Sequence, residues 1–363
     1  MASIISLQRY NIPLKTLSVL IILFLQLLHD RTRRISSKPA VPAVLVFGDS
    51  VVDPGNNNYI TTPVKGNFPP YGKDFPGHEA TGRFSNGKIT PDMMASALGV
   101  KELVPAYLDT RLVDQDLLTG VSFASAASGF DPLTSTIALA IPMMKQLDMF
   151  KEYKEKLRKI AGEKKAASII SESLYMVCSG NNDVAEYFFD PLRRPIKDIA
   201  TYSEFLMQTA SGFLQELVNL GARRVGVTGL PPIGCLPSQR TLAGGVLRRC
   251  AANRNDLAKK YNEKLKRELN RLTAKDSGTK LIYVDMYSVL LDLIQKPQKY
   301  GFRVSKRGCC GTGTLEVGKL CNRLCHVCSN VSEYLFWDSY HPTERAYKII
   351  VDKIIQRDLH LLL

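Results

Sequence analysis

Four short runs along the chain are apolar and rich in β-branched residues: 43–48 (AVLVFG), 174–180 (LYMVCSG), 223–230 (RRVGVTGL) and 280–286 (KLIYVDM). Runs of this length without a polar face predict strands buried on both sides. Between them the spacing of apolar positions changes. In 202–222 they recur every three or four residues and stop at Gly221, which predicts a helix with a glycine at its C-terminal end. Residues 247–275 predict a long, charged amphipathic helix, and 343–362 another with Thr343 as its N-cap. Strands alternating with helices predict an α/β fold, a mainly parallel central sheet covered by helices on both faces. In such sheets ligands bind beyond the carboxyl ends of the strands. Ser50, Asn182 and the stretch 229–235 all follow strand ends, so they are expected along one edge. Residues 53–90, rich in Gly, Pro and Asn, predict a long ordered excursion over that edge. With no repeat and no linker, residues 39–363 are expected to form one domain with insertions.

The N-terminus changes the picture of where the chain works. Arg9 and Lys15 precede 16–28 (TLSVLIILFLQLL), an apolar run too short to span a bilayer and suited to a signal peptide. Residues 1–38 are therefore expected to be a cleaved leader; an uncleaved anchor is the alternative. The formal net charge is +14. Losing six basic residues and one acid with that leader leaves +9. The basic residues are spread along helical stretches such as 151–159 (KEYKEKLRK) rather than gathered in a motif. No zinc finger or RNP-type signature accompanies them, so nucleic acid is not an expected partner. An anionic cell-wall matrix would suit the charge.

Eight cysteines follow the apolar leader, five of them within 309–328. In an exported chain they point to disulfides, with a zinc site at 325–328 (CHVC) as the rival. Cys235 and Cys250 flank a glycine-containing loop and can close it, Cys178 falls in an apolar run that predicts a buried thiol, and the pairing of the cluster stays open. Asn330 begins the single glycosylation sequon, NVS.

The chemistry lies in four separated stretches. Ser50 ends the first strand in 46–58 (VFGDSVVDPGNNN). Residues 120–131 (GVSFASAASGFD) are small and offer backbone N–H groups. Residues 179–183 (SGNND) present the amide of Asn182, and 336–344 (FWDSYHPTE) place Asp338 three residues before His341. A serine hydroxyl needs a base to become nucleophilic; His341 can take the proton and Asp338 can orient the imidazole. An oxyanion then needs donors, for which Ser50 N–H, a backbone N–H within 126–129 and the Asn182 amide are candidates. Such chemistry calls for no metal and no cofactor. Asp53, Asn57 and Asn58 are expected to build the turn, Arg83 to serve a structural ion pair, and His78 to lie on the surface.

There is no G-x-S-x-G, which sets the chain apart from hydrolases with a nucleophile elbow. The four stretches, in order, together with 69–88, 229–239 and 309–313, resemble the plant-type GDSL esterase/lipases of the SGNH hydrolase superfamily. The resemblance implies a three-layer, flavodoxin-like α/β/α sandwich and a carboxylic-ester hydrolase with Ser50 as nucleophile, His341 as base and Asp338 as its partner. It also implies an oxyanion hole from Ser50, Gly129 and Asn182. Two departures stand out. Ala126 and Ala127 occupy a turn that is usually glycine-rich, where a positive φ would be strained. Cys325 is additional to the usual cysteine pattern. The expectation is a secreted esterase or lipase acting through an acyl-enzyme on lipid or cell-wall esters, in the wall or apoplast, without stable membrane insertion once the leader is gone. An acyltransferase using the same site is the alternative, and a non-catalytic secreted binding protein is the rival from another class.

Overall fold

A computed structural model of the chain describes residues 39–189 and 198–363. The expected leader, residues 1–38, lies outside the described residues. The four apolar runs form strands β1 (Val44–Gly48), β2 (Leu174–Cys178), β3 (Arg224–Thr228) and β4 (Lys280–Val284). They lie side by side in that order, every pair parallel. Beyond β1, Val46 forms a further parallel bridge with Ser122, which draws the small-residue stretch 120–131 along the outer side of β1.

Alternate residues of these strands face opposite layers. Phe47 stacks on Phe123 with centroids 4.9 Å apart and meets Phe150 and Phe213 edge-on, from the helices Met143–Ala161 and Ile199–Asn219. The other face carries Met176, Cys178, Gly226 and Val284. It looks toward Thr90 and Met94 of the helix Thr90–Ala97 and toward Val351 and Ile354 of the helix Glu344–Ile354. The result is the expected three-layer α/β/α arrangement.

The helix boundaries depart from the sequence pattern where turns intervene. The charged helix begins at Ala252 rather than 247, because 244–250 is a turn with Arg248 at φ 47° that the Cys235–Cys250 disulfide closes. Thr343 does cap the last long helix, its side chain accepting the Ala346 N–H. The apolar pattern continues to 362, yet the backbone widens into a π turn at Ile355–Leu359. A second sheet, β5 (Val304–Gly308) with β6 (Tyr334–Phe336), was not apparent in the pattern. These strands are short, and β5 carries three polar or charged residues. Disulfides Cys309–Cys328 and Cys310–Cys321 cross-link the loop between them. Cys328 is thus paired away from Cys325, which is a free thiol, as is the buried Cys178. Among the described residues no helix is long and apolar enough to cross a membrane.

Candidate active site

β1 ends in a turn that only glycine can make at position 48. Its φ is 144°, and a Cβ there would lie 1.9 Å from the Cys178 carbonyl oxygen. Gln146, buried in the Met143–Ala161 helix, clamps this turn. Its Oε1 accepts the Gly48 N–H and its Nε2 donates to the Gly48 carbonyl, each at 2.9 Å. The next residue, Asp49, is wholly buried. It accepts the Val51 N–H at 3.0 Å and the Asn181 amide at 2.7 Å. Burial raises its carboxyl pKa to about 7. Ser50 follows, with its hydroxyl at the carboxyl edge of the sheet.

Across that edge His341 Nε2 is 2.8 Å from Ser50 Oγ. Its Nδ1 lies 2.8 and 3.0 Å from the two Asp338 oxygens. This is the hydrogen-bonding order of a nucleophile, a base and the group that orients the base. Asp338 accepts two backbone donors, the N–H groups of Tyr340 and His341 at 2.8 and 2.7 Å. It also accepts the hydroxyl of Tyr71 at 2.8 Å, and Tyr71 in turn accepts the Gly318 N–H at 2.8 Å. Tyr71, Gly318 and His341 are buried and Tyr340 is partly buried, so these contacts act largely out of reach of bulk water.

The sequence-based candidates for oxyanion donors separate. Among the described residues the Ser50 N–H has no hydrogen-bond partner. Asn182 opens the helix Asn181–Tyr187 after Gly180; its Nδ2 donates one hydrogen to the Ser128 carbonyl at 2.9 Å and keeps a second. Gly129 has a different surrounding. Its N–H faces Ser135 Oγ at 3.4 Å, and a Cβ at 129 would lie 2.1 Å from Asp183 Oδ1. Glycine at 129 is therefore a packing requirement beside Asp183. In the alanine pair, Ala127 has φ 66° and Ala126 does not. The left-handed conformation foreseen for this turn falls on one residue.

The excursion 53–90 supports the site rather than entering the reaction geometry. Asp53 accepts the N–H groups of Gly55 and Asn56 at 2.7 Å and that of Ala126 at 2.9 Å. Burial lifts its pKa to about 6. Asn57 donates to the Ala126 carbonyl at 3.0 Å and Asn58 to that of Thr81 at 2.8 Å. Arg83 makes a buried ion pair with Asp92 at 2.7 Å, and His78 is exposed. Asn330 is exposed on a short turn that follows the Cys cluster. Among the described residues no cluster of three or more His, Cys, Asp or Glu is arranged to hold a metal ion.

Sequence reasoning missed Tyr71, Asp49, Asn181 and Gln146. Three of them sit inside stretches already singled out by their composition. Gln146 had one signal, a polar residue at an inward position between Met143, Leu147 and Phe150.

Residues 44–354 match the family model described as GDSL-like Lipase/Acylhydrolase. Curated relatives from Arabidopsis thaliana cover most of the chain. GDSL esterase/lipase At1g20120 is 50% identical over 320 residues, 88% of this chain and 80% of its own length. GDSL esterase/lipase EXL3 is 47% identical over 325 residues, 89% of each chain. GDSL esterase/lipase At1g06990 is 47% identical over 324 residues, 88% of this chain and 90% of its own.

Proposed function

The chain belongs to the GDSL-like lipase/acylhydrolase family, and from that premise we propose a secreted, serine-dependent carboxylic-ester hydrolase that works through an acyl-enzyme. The observation that carries the reading is the continuous relay from Ser50 Oγ through His341 to Asp338, each step 2.8 Å. Ser50 attacks the ester carbonyl as His341 Nε2 takes its proton. Asp338, held by Tyr71 and two backbone N–H groups, keeps the imidazole in the tautomer that can do so and stabilises the imidazolium. The tetrahedral oxyanion is received by the Ser50 N–H and the second Asn182 amide hydrogen, each worth about 2.7–4 kcal/mol of barrier. Expulsion of the alcohol takes the proton back from His341. Water then repeats the sequence on the acyl-serine.

Export of the mature domain, 39–363, is supported by the apolar leader and the three disulfides. The exposed Asn330 is the proposed glycan site, and a basic mature surface supports association with an anionic wall matrix. Hydrolysis of p-nitrophenyl esters by the purified protein and by Ser50→Ala tests the reading. Turnover abolished in the variant is the expected result; equal turnover by a folded Ser50→Ala protein overturns it.

A further inference from the structure

Two cavities below the carboxyl edge of the sheet share part of their lining. The first opens at Ser50 and His341 and runs between Ile233 and Leu236 on one side and Leu290 and Ile350 on the other. The second lies flat on the sheet, over Met176, Gly226 and Val284, and is roofed by Ile354, Leu359 and Leu362 at the C-terminal end of the chain. Four residues line both: Val51, Cys178, Thr228 and Met286. These four side chains form the boundary between the two spaces. Both spaces are narrow and their walls overwhelmingly apolar. Asn181, Asn182 and Tyr340 stand with Ser50 and His341 in the first lining, Thr90, Tyr175, Thr228 and Tyr347 carry hydroxyls, and Asp358 at the far end is paired with Arg357 at 2.7 Å.

Gly226 is part of the floor of the far cavity. It stands in the middle of β3, where glycine weakens a strand. Its backbone does not need glycine, since its φ is outside the left-handed region. A Cβ there would project to 3.4 Å from Leu362 Cδ1 and 3.5 Å from Val284 Cγ2, into the space under the C-terminal helix.

We propose that the two cavities are one acyl tunnel, and that its occupant is the long, unbranched aliphatic acyl chain of the ester that Ser50 attacks. The carbonyl carbon sits at the mouth, the first methylenes pass Leu290 and Ile350, and the chain passes the four shared side chains to end below Leu362. Burial of each methylene in an apolar channel drives binding without directional contacts. A narrow bore admits a linear chain and rejects an aryl acyl group. This deepens the hydrolase reading and rests on it.

The test compares p-nitrophenyl acetate, decanoate and benzoate, all below their aggregation limits, with the mature protein, Gly226→Val and Thr228→Leu. In the unsubstituted protein, kcat/KM for decanoate should exceed that for acetate by on the order of tenfold or more, with benzoate below decanoate. In either variant the decanoate-to-acetate ratio should fall about tenfold, and the ratio is internally corrected for the fraction folded. A Ser50-dependent activity that favours acetate or benzoate, or a ratio unchanged in both variants, overturns the tunnel. Calorimetric binding of decanoate anion to Ser50→Ala separates the two readings. If no ester is turned over but decanoate binds, and binds more weakly to Ser50→Ala/Gly226→Val, the hydrolase reading fails and the tunnel stands. No binding and no preference for decanoate overturns the tunnel whatever the activity.

Discussion

Ser50 and the Asp338–His341 pair meet at 2.8 Å, but the protein holds them by different means. The serine side hangs from the inside of the fold. Its turn is the end of a buried parallel strand, clamped by Gln146 and tied through Asp49 to Asn181 and through Asp53 to Ala126. The acid–base side lies on an irregular segment outside the main sheet. There the backbone N–H groups of Cys309 and Cys310 donate to the Trp337 carbonyl, Ser339 N–H donates to Glu316, and Gly318 reaches Asp338 through Tyr71. Cross-linking at Cys309–Cys328 and Cys310–Cys321 braces these loops. One half is positioned by buried carboxylates and packing, the other by disulfides and a tyrosine. The lesson is that each half has its own vulnerability: the serine side responds to pH, the acid–base side to loss of particular hydrogen bonds.

The largest effect should come from the acid–base side. Asp338→Asn keeps the shape but offers His341 the wrong partner for the reactive tautomer, and kcat should fall on the order of 10³–10⁴-fold. Esterase assays on folded protein check this; a loss under tenfold would mean that Asp338 serves structure alone. Tyr71→Phe is expected to cost roughly tenfold in kcat, the value of one hydrogen bond to a charged group. Without the hydroxyl, Asp338 loses one of the donors that hold it beside His341. KM should stay nearly constant, because Tyr71 touches Asp338 and not Ser50. An unchanged kcat would reduce Tyr71 to a packing residue.

On the serine side the effect is on stability. Asp49, with a folded pKa of about 7 against 3.8 in the open chain, holds a proton that unfolding releases between those values. The stability it contributes is complete below about pH 4 and is lost as the pH rises through 7. Asp53, raised to about 6, acts in the same direction. Urea midpoints followed from pH 4 to 7 should fall less steeply for Asp49→Asn than for the unsubstituted protein. Parallel curves would show that Asp49 does not titrate in this range. The smallest effect is at Ala127, whose φ of 66° burdens a residue with a Cβ. Ala127→Gly should stabilise the fold by up to about 1 kcal/mol, because relief of the left-handed penalty exceeds the added chain entropy. A lower thermal midpoint would contradict that balance.

Most of the main sheet was legible because its strands are buried on both faces and leave continuous apolar runs in the sequence. The second sheet was not, since Ser305, Lys306 and Arg307 break any such run in β5 and β6 spans only three residues. Ser50, Asn182, Asp338 and His341 were legible through short local patterns. Their supports were not. Gln146 lies 98 residues from Gly48, Asn181 132 from Asp49, and Tyr71 267 from Asp338. Partnerships of that kind follow from where strands end in space, and no local periodicity encodes them. Gly129 shows the same limit: the carboxylate of Asp183 leaves no room for a Cβ there, a packing reason that the local turn did not reveal.

The central claim is that Ser50 is the residue made reactive by His341. The most direct measurement treats the folded protein with a p-nitrophenyl alkylphosphonate, counts the nitrophenolate released, and locates the adduct by peptide mass spectrometry. One equivalent released, the adduct on Ser50, parallel loss of esterase activity and a much slower reaction in His341→Ala are the results the account predicts. Esterase activity that survives stoichiometric labelling of Ser50, or inactivation with the adduct on another residue, would contradict it.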